Sequence, residues 1–100
     1  MDITYNAQEK RFFAVEDGYE YNLEYNEVEK NVWQFNCSFL SRIITNIKEL
    51  NIRERIIAFA IDFMEKNNIK LMDSGTCFDV TDYVKKQNNI RFLMDYVIKT

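Results

Sequence analysis

The sequence predicts an α/β chain of the α+β kind, in which an antiparallel β-meander precedes a β-α-β half with a central helix and a short C-terminal helix. Three observations predict it: two-residue alternation of apolar and polar side chains from Tyr19 to Phe39, helical periodicity from Asn51 to Asn67, and a short apolar run, Ile69 to Met72, directly after that helix. At 100 residues the chain is read as one domain, residues 1–100, whose large side chains must all serve one core.

The elements follow in order. Ile3 and Tyr5 alternate weakly and suit an edge strand, and Asn6 to Lys10 reads as a turn. Arg11 to Val15 is a buried strand by length and aromatic content, and Asp17-Gly18 is the sequence signature of a tight hairpin. Tyr19, Tyr21, Leu23 and Tyr25 then share one face against Glu20, Asn22, Glu24 and Asn26, the pattern of a half-exposed antiparallel strand. That stripe reads as the inward face of a sheet or as the lining of an aromatic groove, and the glutamates between as a solvated face. After a polar loop around Val28 to Asn31, the same alternation returns at Trp33, Phe35, Cys37 and Phe39.

In the central helix, Ile52, Ile56, Phe59, Ala60 and Phe63 recur at the spacing of a buried face. Asn51 and Glu54 suit a capping box that starts it, and Asn67-Asn68 ends it. Such a start presents free N–H groups and partial positive charge, which makes it the candidate functional end. Asp73 to Thr76 reads as a loop, and Asp79 to Lys86 as a second helix with Val80, Tyr83 and Val84 on its apolar side. Ile90 to Ile98 is apolar enough to dock on the domain, but its mixed period assigns it neither to helix nor to strand.

Composition bounds the function. A hydrophobic fraction of 47% with 15% aromatic residues argues against disorder. The net charge is −3 with both signs interleaved, so no electrostatic footprint for nucleic acid or an anionic membrane is present. Apolar runs fall short of the roughly 20 residues that span a bilayer, and the N-terminus lacks an apolar signal segment, so the expected location is cytoplasmic. Cys37 and Cys77 stand forty positions apart, without a CxxC motif or any histidine, which predicts neither a disulfide framework nor a metal site. Without histidine, Ser-His and Cys-His nucleophilic chemistry is unavailable within one chain.

From Asn6 to Leu93 this order of elements resembles the GNAT acetyltransferase superfamily, in particular its short single-domain members. The resemblance is carried by Asn6 with Arg11-Phe12, by Asp17-Gly18 at the first hairpin, by Asp62-Phe63 and Asn68-Ile69-Lys70-Leu71, and by Cys77 six residues before Tyr83. It implies a GNAT-like fold and transfer of acetyl from acetyl-CoA to a small-molecule or protein amine. The implied cofactor site is Lys48, Glu49, Leu50, Asn51, Ile52 and Arg53, with backbone groups near Ile43 and Ile44 holding the thioester and Cys77 or Tyr83 as catalytic groups. No metal is implied.

The sequence departs from the family at two places. The glycines that let backbone N–H groups approach pyrophosphate are replaced by Glu49 and Asn51, and the family's candidate base, a glutamate, corresponds to Arg42. Each candidate also has a plainer reading: Lys48 to Arg53 as a capped helix start, Cys77 as a small core residue, Tyr83 as a packed ring with its hydroxyl at the rim. Two functions follow, an N-acetyltransferase or a non-catalytic module of the same fold that binds a partner. The open edge of the meander is a candidate contact for a second copy in a homodimer.

Overall fold

The computed structural model describes residues 2–36, 47–73, 78–87 and 90–99. Six strands among them form one sheet in sequential order: β1 (Thr4–Asn6), β2 (Arg11–Glu16), β3 (Tyr19–Glu29), β4 (Val32–Phe35), β5 (Lys70–Asp73) and β6 (Val97–Lys99). The first four pair antiparallel, and β4, β5 and β6 pair in parallel. The helices are α1 (Ile47–Lys66), α2 (Phe78–Lys86) and α3 (Ile90–Asp95). This is a mixed α/β fold in which an antiparallel meander leads into parallel crossovers.

Local chemistry explains the turns. Asp17 and Gly18 both have positive φ, 53° and 77°, which is the backbone of the two-residue turn whose twist matches its flanking strands. A Cβ at Gly18 would meet nothing within 4 Å, so the glycine is needed for its φ rather than for space. β3 extends past Asn26 to Glu29, because a bulge between Glu27 and Glu29 absorbs one residue. The expected polar loop thus contracts to the Lys30-Asn31 turn, with Asn31 at φ 61°.

The central helix starts earlier than its apolar pattern indicates. α1 already includes Ile47, so Asn51 lies inside it and is not its N-cap. The reason is visible in burial: Glu49, Ile52, Arg53 and Ile56 continue one inward face at helical spacing, and two of these are charged. Counting apolar residues alone passes over that first turn. The other end behaves as expected. Asn68 adopts φ 55°, Asn68 N donates to Glu65 O at 3.3 Å and Ile69 N to Met64 O at 2.8 Å, the paired bonds of a Schellman stop.

Beyond α1 the chain crosses back through β5 to lie beside β4, with Trp33 opposite Leu71. Residues 90–98, whose type the sequence leaves undecided, divide into α3 and part of β6. One core joins the sheet's inner face to the helices: Phe12, Leu23, Ile56, Met64 and Phe92 are completely buried within it, and Val80 and Val84 of α2 nearly so. Burial of this kind is worth about 1.5–3 kcal/mol per large apolar side chain. Among the described residues no helix is long and apolar enough to cross a membrane.

Candidate functional site

The residues proposed for cofactor contact at the start of α1 do not form one surface. Lys48 and Asn51 are exposed, Leu50 is half-buried, and Glu49, Ile52 and Arg53 are buried. An α-helix distributes consecutive residues around its axis, so a stretch that would line a ligand as a loop is divided between solvent and core once it coils. Within a helix that already includes Ile47, each N–H from Asn51 onward donates to the carbonyl four residues back. The donors at Asn51, Ile52 and Arg53 are therefore engaged.

Charge at this end is also committed. Lys48 Nζ donates to Asp17 Oδ2, tying the β2–β3 hairpin to the helix start, and that hydrogen bond is the main reason the Lys48 pKa is raised. Glu49 and Arg53, one turn apart, are 3% and 4% exposed, so both belong to the interior. Ile43, Ile44 and Cys77 lie outside the described residues, as do Arg42 and Cys37.

Tyr83 of α2 is half-buried and faces α1. Burial, followed by the negative charge of Glu54, raises its pKa, so its hydroxyl stays protonated at neutral pH. It lines an opening of about 450 Å³ together with Asn51, Glu54, Arg55 and Ala58. A neighbouring opening of about 280 Å³ shares Tyr83 and Ala58 and continues toward Ile61, Glu65 and Gln87. Lys86 Nζ reaches Glu54 Oε1 across the two helices at 3.4 Å. The fold thus brings Asn51 and Tyr83 to one groove and adds Glu54 and Arg55. These two were legible as members of the face 51, 54, 55 and 58, at intervals of three and four residues, had Asn51 been placed inside the helix rather than at its cap.

A second cavity, of about 370 Å³, lies at the opposite end of α1, where the chain leaves the helix and enters β4 and β5. Its aromatic lining includes Tyr5, Tyr25, Trp33 and Phe63. Tyr25 stacks on Trp33 with ring centroids 3.7 Å apart, Phe63 lies 4.6 Å from Tyr5, and the Tyr5 and Tyr25 hydroxyls are hydrogen-bonded at 2.7 Å. Burial first, then the Tyr5 hydroxyl, raises the Tyr25 pKa. Trp33 Nε1 donates to Glu27 Oε2 at 3.4 Å. Glu27 pairs opposite Trp33 in the β3–β4 ladder and so shares the inner face of the sheet. The sequence carried that signal: the stripe Tyr19, Tyr21, Leu23, Tyr25 continues at the next alternate position with a carboxylate. The stripe itself grades from exposed at Tyr19 to buried at Leu23 and Tyr25, so most of it is sheet interior.

Among the described residues no group of three or more His, Cys, Asp or Glu side chains is placed to hold a metal ion. Comparison of the chain with family models, with curated proteins and with solved structures finds no match.

Proposed function

We propose that the chain is a non-catalytic binding or interaction module of GNAT-like architecture that has lost acetyl-CoA turnover. The observation that carries this reading is the position of Asn51, Ile52 and Arg53 inside α1, where their amides serve the helix and Glu49 beside them is buried. A diphosphate needs several convergent free N–H groups and a tolerant local charge. Here Asn51, Ile52 and Arg53 supply helix hydrogen bonds, and Glu49 places a buried carboxylate beside them. The meander followed by a β-α-β unit supports the architectural half of the proposal.

A second reading, an N-acetyltransferase acting on an amine with acetyl-CoA, is favoured by one feature, the protonated Tyr83 hydroxyl in the groove beside Asn51 and Arg55. In that reading Tyr83 gives its proton to the departing CoA thiolate. Thermal melting and calorimetric titration with acetyl-CoA and with CoA at millimolar concentration separate the two. A ligand that binds only the folded chain must raise its melting temperature, by an amount set by concentration over Kd. The module reading expects no shift and no heat; saturable binding accompanied by thiol release when amines are added would replace it with the enzyme.

A further inference from the structure

We infer that the cavity at the C-terminal end of α1 is a binding site for a small aromatic amine in its ammonium form. This site is separate from the start of α1, so the inference holds or fails whatever the CoA titration returns.

Three features point there together. Four aromatic rings line the cavity, and the exposed parts of the half-buried Tyr5 and Phe63 offer apolar and π surface to a ligand ring or to a cation. Glu27, exposed at the wall and sharing one carboxylate oxygen with Trp33, has acceptor capacity left for an ammonium group. The volume, about 370 Å³, lies within the range of small-molecule pockets.

The rim is also unusually defined for a cluster of turns. Lys10 and Asn31 line the cavity with positive φ, 54° and 61°, and Asn68, at 55°, adjoins its Asn67 and Ile69. Each turn is held by a backbone bond into the sheet or helix, Tyr25 N to Lys10 O at 3.0 Å, Lys70 N to Asn31 O at 2.9 Å and Ile69 N to Met64 O at 2.8 Å. The site is therefore formed before any ligand arrives, which limits the ordering that binding must impose.

Among the described residues Lys10 is the one cation that lines the cavity, and it opposes an ammonium ligand. Both side chains are exposed, but the Glu27 carboxylate accepts from Trp33 Nε1 at 3.4 Å, which sets the negative charge beside the rings. The two residues therefore make opposite predictions for one ligand.

Trp33 is the chain's single tryptophan and lines the cavity, so its fluorescence reports occupancy directly. The full chain is titrated with phenethylammonium, and with 3-phenylpropionate as the same ring bearing a negative charge. Saturable change is expected with the first and none with the second. Glu27→Gln weakens phenethylammonium by about tenfold, through loss of a charge-assisted bond. Lys10→Asn, a residue that keeps the left-handed backbone, tightens it by about threefold by removing exposed like-charge repulsion. Melting curves of both variants check that they remain folded. Binding of phenylpropionate in preference, binding of neither probe, or an unchanged affinity in folded Glu27→Gln would overturn the assignment.

Discussion

At its start α1 buries two charges, Glu49 and Arg53, whereas at its end it inserts Phe63 among Tyr5, Phe12 and Trp33, whose centroids lie 4.6 to 6.0 Å away. The same helix lies on the same sheet in both places. The charged end is tied to the β2–β3 hairpin by Lys48 and Asp17, and the amides of Asn51, Ile52 and Arg53 are engaged in the helix. The aromatic end leaves a cavity, because flat rings that stack on one another do not fill a turn-lined corner.

The sharpest way to break that contrast is to remove a ring. Trp33→Ala should destabilise the chain by about 3–5 kcal/mol in denaturant unfolding, since it deletes transfer energy and leaves a void beneath Tyr25. A loss below about 1 kcal/mol would mean the aromatic end is not a packed core.

A single change addresses the charged end. Arg53→Met, which keeps length but removes a buried guanidinium that holds an interaction inside the core, should cost about 3 kcal/mol in denaturant unfolding. A loss below about 1 kcal/mol would mean that this charge is not held in the core.

Tyr25 gives a smaller effect with a pH signature. Tyr25→Phe should cost about 1 kcal/mol through the lost bond to the Tyr5 hydroxyl. The raised folded-state pKa of Tyr25 means that the folded chain holds this proton more tightly than the unfolded chain. Its contribution is complete below the ordinary tyrosine value of about 10 and declines as pH rises above it. Unfolding followed from neutral to strongly alkaline pH should show that decline in the wild type and a reduced one in Tyr25→Phe.

The smallest expected change is at Asn51. As an exposed position inside α1, Asn51→Ala should leave stability unchanged or raise it by up to about 0.5 kcal/mol through helix propensity. Were Asn51 the cap, the same change would lower stability by about 1 kcal/mol.

The local elements were readable because their signals are local. Alternation from Tyr19 to Tyr25, the left-handed Asp17-Gly18 pair, and the Asn67-Asn68 stop each follow from backbone sterics or side-chain period within a few residues, and β2, the hairpin and the end of α1 lie where those signals put them. The first turn of α1 was not readable, since its inward position is occupied by a charge, Glu49, and only the surrounding core shows that it belongs there. The type of residues 90–98 depended on β5 being present to pair with β6. The groove around Tyr83 and the cavity around Trp33 each join segments more than twenty residues apart in the chain, so no sequence window contains either of them. What the sequence determined alone was the order and kind of most elements, through periodicity and turn chemistry acting at short range. What only tertiary structure decided was which charges are interior, which amides are already used, and where the packed rings leave space, because each of these depends on atoms that folding brings together from distant parts of the chain.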